Sequence, residues 1–196
     1  MSVLQRLPFV TAALMLLSLG LSGCAGTVTP PTRYLLPNIA PTAPNAPSTT
    51  LEIARLRLAH YLDVDGIVMQ LDDIELREAR DSQWAEGLDQ QLARSLQAHL
   101  SRELLNWRVL QGKSGDDSAL SLHLSVDQFQ GRYDGYALVS GQWQLRDEQD
   151  RLIHMASFHA QTALEDDGYP ALVRALGQSF EKATQDIAAA IQRAVL

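Results

Sequence analysis

Leu120-Ser121-Leu122-His123-Leu124-Ser125-Val126-Asp127 alternates apolar and polar residues without a break. Side chains of a β-strand point to opposite faces in turn, so this run is a strand with one buried and one wetted face. A half-buried strand needs a sheet beside it and a second layer over its apolar side. The neighbouring segments supply both.

Downstream, Ala137, Val139, Gly141, Trp143 and Leu145 alternate in the same way, and Leu152 to Leu164 completes a meander after a turn through Asp147 to Arg151. Upstream, Leu51 to Leu62 reads as a strand. Leu51 and Ile53 keep one phase while Leu56 and Leu58 keep the other, which calls for a bulge near Ala54-Arg55. Asp63-Val64-Asp65-Gly66 is a turn, Ile67 to Leu71 a short strand, and Ile74 to Arg77 another beyond Asp72-Asp73. Trp107 to Leu110 is a further short strand, and Lys113 to Ser118 a polar loop.

Two stretches carry the helical period instead. Leu88, Leu92, Leu96, Leu100 and Leu104 form one i, i+4 ridge, with Asp81 and Ser82 as N-cap candidates and Trp84 in the first turn. Asp166-Asp167-Gly168 opens a closing helix with Pro170 in its first turn, lined by Leu172, Leu176, Phe180, Ala183, Ile187 and Ile191. The expected fold is therefore α+β: a mostly antiparallel sheet with two long amphipathic helices packed on one face.

This domain occupies residues 51–196, a length that suits one core. What precedes it is different in kind. Arg6, the apolar run Phe9 to Leu21, and the small residues Ser22-Gly23 make residues 1–23 a signal peptide. The run is too short to span a hydrocarbon core about 30 Å thick as a helix. Leu21-Ser22-Gly23-Cys24 has the form of a bacterial lipobox, which makes Cys24, the chain's one cysteine, the lipidation site. Ala25 and Gly26 follow it, and neither is acidic. In lipoproteins of Gram-negative bacteria an Asp at that place retains the protein at the inner membrane, so the expected location is the outer membrane, with the domain facing the periplasm. Residues 24–50 hold six of the eight prolines and read as an extended tether reaching roughly 80 Å at full stretch. Arg33-Tyr34-Leu35-Leu36 interrupts it, and Tyr34, Leu35 and Leu36 are expected to dock, as a short edge strand or on a partner.

The formal charge is −7, with no Lys/Arg run, which argues against nucleic acid and against electrostatic docking on anionic lipid. A lone cysteine forms no internal disulfide and no Cys-based zinc cage. His60, His99, His123, His154 and His159 show no ligand spacing, and Asp63-Val64-Asp65-Gly66 lacks a carboxylate at the twelfth position of a calcium loop, where Ile74 stands. No Gly-x-Ser-x-Gly elbow, phosphate loop or dinucleotide fingerprint occurs. No catalytic residue, metal or cofactor is expected.

Several segments together resemble the ABC-type transport auxiliary lipoprotein family. They are the lipobox at Cys24, Arg33-Tyr34-Leu35-Leu36-Pro37, Leu56 to Asp63 followed by Gly66-Ile67-Val68, Gln83-Trp84-Ala85-Glu86-Gly87-Leu88, and Val126-Asp127-Gln128-Phe129, in that order. The chain departs at Gly87, where the family often has Pro, and before Tyr34, where a second Tyr is common. The resemblance implies a non-enzymatic auxiliary component of an ABC/MCE-type intermembrane lipid transport system. It would dock or receive a periplasmic MCE channel, with a homo-oligomeric ring as a further implication and Tyr34-Leu35-Leu36 as an intersubunit or partner strand. The competing reading is an envelope lipoprotein that activates or assembles another cell-envelope machine. A third is an envelope hydrolase with an unrecognised site.

Overall fold

The computed structural model describes residues 29–37, 39–44 and 47–195, so the signal and lipidation readings, Cys24 included, lie outside the described residues. Pro31–Leu196 make one compact unit. Its strands are β1 (Thr32–Tyr34), β2 (Thr49–Leu58), β3 (Gly66–Gln70), β4 (Leu76–Trp84), β5 (Trp107–Gln111), β6 (Leu120–Arg132), β7 (Tyr136–Arg146) and β8 (Leu152–Ala163). Its helices are α1 (Leu88–Glu103) and α2 (Tyr169–Val195). The α+β architecture expected from periodicity is present.

The strand read first, β6, is the axis of the sheet. One of its edges pairs antiparallel with β7 from Ser121 to Gly131, and β7 pairs antiparallel with β8. Its other edge is shared: β2 runs parallel to Leu120–Val126, and β3 parallel to Gly131 and Arg132. Outside these, β5 lies parallel to β2, β4 antiparallel to β3, and β1 parallel to β4. The longest ladders are antiparallel, and the parallel ones join strands distant in sequence.

The apolar phases of β2, β5, β6, β7 and β8 face the helices. Leu122 and Leu145 are buried partners, as are Leu124 and Trp143, with buried Ile53 and half-buried Leu56 continuing the two rows on β2. The register of β2 slips between Ile53 and Arg55, the bulge that its change of phase requires. The leucine ridge of α1 is buried throughout. Each such side chain contributes about 1.5–3 kcal/mol relative to exposure. The ridge of α2 is buried from Leu172 to Ile191. Its two buried hydroxyls are satisfied: Ser179 Oγ donates to Thr162 Oγ1 at 2.9 Å, and Thr184 Oγ1 to the Phe180 carbonyl at 2.9 Å. The rings of Trp84, Phe129 and Phe180 follow one another, tilted and then edge-to-face, at centroid separations of 6.1 and 6.3 Å.

Three boundaries differ from expectation. Asp81, Ser82 and Trp84 belong to β4 rather than to the start of a helix. Backbone pairing with β3 on one side and β1 on the other holds them extended, and α1 begins only at Leu88, capped by Gly87 without a side-chain bond. β4 starts at Leu76, because Asp72 Oδ1 accepts from the N–H groups of Ile74 and Glu75 and holds a turn there. β2 ends at Leu58, and His60–Leu62 form one 3-10 turn.

Candidate functional site on the first strand and the open sheet face

Tyr34, Leu35 and Leu36 have three different environments. The Tyr34 backbone completes β1 beside Trp84, and its carbonyl accepts from the Ala85 N–H at 2.8 Å. Its ring lies 6.5 Å from that of Tyr169 at the start of α2. Leu35 points outward and is 58% exposed. Leu36 is buried, and its N–H donates to Gln91 Oε1 at 2.8 Å. Gln91, itself buried in α1, donates from Nε2 to the Glu86 carbonyl at 3.0 Å. Glu86 in turn holds Arg94 in a two-point ion pair. Pro37 then passes α2 at Gly177, where an added Cβ would come within 3.0 Å of its ring.

The motifs behind the resemblance that lie among the described residues thus meet in space. Tyr34-Leu35-Leu36-Pro37 lies against Trp84-Ala85-Glu86, and Trp84 stacks on Phe129. The Tyr61 hydroxyl reaches the Asp127 carbonyl at 2.9 Å and Gln130 Oε1 at 2.7 Å. Burial, with the nearby Asp127 charge, pushes its pKa up to about 12. None of these contacts aligns a nucleophile with a base. They join four distant segments into one corner of the domain.

Among the described residues, no group of three or more His, Cys, Asp or Glu is placed to hold a metal ion. His99 is buried beside Glu181, at 3.7 Å, and burial lowers its pKa despite that carboxylate. His154 stacks on Trp143 at 5.1 Å. His123 stands on the outward face of β6, and there the structure assembles something the sequence reading missed.

That outward face is not covered by a helix. Register places Arg55, His123, Gln144 and Met155 in one row across β2, β6, β7 and β8, and Arg57, Ser125, Gln142 and Ser157 in the next. Arg146 lies opposite Ser121 on one side and Leu152 on the other. The arginines and His123 line an open groove of about 400 Å³. Arg146 is held in place by Nη1 donating to the Asp150 carbonyl and Nη2 to Gln144 Oε1, both at 2.9 Å. The His123 pKa is lowered, first by burial and then by Arg146, with Arg55 adding to the effect and Asp150 opposing it. Arg55, His123 and Arg146 are far apart in sequence, so only strand register reveals the cluster.

The model of the family described as "ABC-type transport auxiliary lipoprotein component" matches residues 34–188 of this chain, from the first tyrosine of the corner to the last turns of α2. The chain belongs to that family. Its similarity to individual members runs through nearly the full length. It is 32% identical over 179 residues to the Intermembrane transport lipoprotein PqiC of Escherichia coli K12, covering 90% of this chain and 94% of that relative. The Shigella flexneri protein of the same name matches equally. A crystal structure of an uncharacterized protein superposes with a TM-score of 0.74 at 32% identity, over 83% of this chain and 99% of that one. A Xanthomonas campestris protein superposes at 0.65 and 18% identity, over 84% and 93%, a likeness of fold. The family is described by an auxiliary part in transport, not by a catalysed reaction. No described helix is long and apolar enough to cross a membrane.

Proposed function

We propose that this protein is a periplasmic, outer-membrane-anchored lipoprotein that docks or receives the MCE channel of an ABC/MCE-type intermembrane lipid transport system. The observation that carries the reading is the 32% identity to an intermembrane transport lipoprotein across 90% of the chain. Residues 1–23 are removed, Cys24 is acylated, and the chain ahead of β1 leads from the membrane to the compact unit that begins at Pro31. Several acyl chains hold far more firmly than one, at about 0.8 kcal/mol per buried CH₂. Copies of the domain assemble into a ring around the channel they receive.

Tyr34-Leu35-Leu36 is the partner-facing segment in this picture. Leu36 and the Tyr34 ring fasten it to its own domain, while exposed Leu35 and the outer edge of β1 face a neighbour. A short strand edge with an apolar side chain suits β-augmentation.

The test is co-purification from envelopes solubilised in mild detergent, with the chain tagged at its C-terminus. An MCE-domain protein should be recovered with it. Recovery of a cell-wall synthase instead, with no MCE protein, overturns the reading in favour of the envelope-activator alternative.

A further inference from the structure

The open sheet face brings three chemistries together. At its centre are Arg55 and Arg57 on β2 and Arg146 on β7, with β6 between them, two strand spacings or about 9.6 Å across the sheet. Arg55 and Arg57 are exposed and form no ion pair among the described residues. At one end is the β7–β8 turn, where Glu148 and Asp150 are exposed; the Asp150 side chain is 79% open to solvent, with Oδ1 3.5 Å from Arg146 Nη1. Along the edge strand, Leu152 and Met155 are 52% and 55% exposed, directly opposite Arg146 and Gln144.

Each feature narrows the occupant. Guanidinium groups of this kind bind phosphate through paired N–H donors. A nucleic acid backbone needs an extended positive track, and here the carboxylates of the turn cut the track off. A purely anionic lipid surface meets the same repulsion. Free phosphate satisfies the arginines but leaves Leu152 and Met155 bare and Glu148 in no ion pair among the described residues, Asp150 having Arg146 beside it. An acidic peptide satisfies the arginines alone. A molecule with a phosphate, an ammonium group a few ångströms from it, and a hydrocarbon chain matches all three parts.

We infer that the open sheet face binds one phospholipid with a zwitterionic phosphate–ammonium headgroup, its phosphate on Arg55, Arg57 and Arg146, its ammonium at Asp150 and Glu148, and the start of its acyl chain over Leu152 and Met155. The charge pattern selects the headgroup, and the apolar edge distinguishes the lipid from its water-soluble head. The inference needs neither an MCE partner nor the acyl groups of Cys24, so it survives or fails separately from the docking reading.

The test is native mass spectrometry of the full acylated protein, released from a mild detergent and titrated with dioleoyl phosphatidylethanolamine or dioleoyl phosphatidylglycerol. Glycerophosphoethanolamine and inorganic phosphate serve as chain-free competitors. Phosphatidylethanolamine should give the more abundant adduct, displaced by neither competitor at equal concentration. The Arg55→Ala/Arg57→Ala double variant should lose that adduct about tenfold. Asp150→Asn should abolish the preference over phosphatidylglycerol, and Met155→Ser should weaken both lipids. Stronger phosphatidylglycerol binding by the wild type overturns the headgroup assignment, and displacement by inorganic phosphate overturns the lipid. Undiminished adducts on the double variant overturn the site. The wild-type arms decide the ligand even if a variant folds poorly.

Discussion

The buried N–H of Leu36 donates to the side chain of Gln91, fifty-five residues further along the chain, at 2.8 Å. β1 ends at Tyr34, so this amide has no strand partner, and α1 supplies an acceptor in its place. The other end of the same side chain satisfies the Glu86 carbonyl just before the helix. One glutamine therefore fastens the first strand and closes the start of α1, where Gly87 offers no side-chain cap.

Gln91→Leu keeps the volume and removes both bonds. A buried donor and a helix-entry carbonyl are then left unpaired, at a cost of about 1–3 kcal/mol. Urea melts should show the loss. Hydrogen exchange should show residues 32–37 opening well before the rest of the domain. An unchanged melt and unchanged exchange would mean that another acceptor takes over.

Gly141 and Gly135 should fail for different reasons. At Gly141, opposite Val126 beside the bulge at Asp127, an added Cβ would stand 2.0 Å from the Ser125 carbonyl oxygen and 2.7 Å from the Phe158 ring. Neither strand can give way without parting from its neighbour. Gly141→Ala should cost about 1–3 kcal/mol or more by overpacking. Gly135 has open space around it but a φ of +83°, in the turn between β6 and β7. Gly135→Ala should cost only about 1 kcal/mol, and Gly135→Asn should recover part of it. Thermal melts check both orders.

Periodicity exposed most of this fold because most of its strands and both helices bury one face. Leu120 to Val126, the leucine ridge of α1 and the α2 ridge are all half-buried, so their spacing could be read directly. β4 is legible only at its start, within the strand expected over Ile74 to Arg77, because Leu76 to Asp81 are exposed or half-exposed on both faces and leave no alternation. Its end carries Asp81 and Ser82, residue types that also cap helices. The parallel pairings of β2 and β3 with β6 are also invisible locally, since they join segments about seventy residues apart. The arginine cluster shares that obstacle: His123 stands in the polar phase of its own strand, but its neighbours Arg55 and Arg146 come from other strands. The expectation for Cys24 rests on the lipobox alone, and Cys24 lies outside the described residues.

Two groups set opposite limits on pH stability. Asp116 has a pKa lowered to about 2, chiefly by the Thr50 hydroxyl, then by the Ser118 hydroxyl and backbone N–H. A carboxyl depressed on folding stabilises above its unfolded pKa near 3.8, and that contribution disappears as pH falls toward 2. Asp116→Asn should therefore be less stable than wild type at pH 5, with the difference vanishing by pH 2. Tyr61 has the opposite sign. Its raised pKa stabilises fully below the unfolded value of 10.0 and is lost as pH climbs through about 12. Tyr61→Phe should lie below wild type at neutral pH and converge with it in strong base. Denaturant melts across both ranges, with phenolate absorbance to follow Tyr61, check the two signs.

Leu35 and Leu36 are adjacent, yet their substitution should separate folding from assembly. Leu36 is buried against the core, so Leu36→Asp places an unpaired charge there and should release the segment or unfold the domain. Leu35 is more than half exposed and has no structural duty beyond β1. Leu35→Asp should melt within about 0.5 kcal/mol of wild type, as expected of an exposed position. If this edge receives a partner strand, the same variant should lose the co-purifying protein, or the larger oligomer, while remaining folded. Leu35→Met should keep both, because it preserves the apolar contact. Retention of partner and oligomer by Leu35→Asp would remove β1 from the interface and leave its segment with the purely internal role that Gln91 enforces.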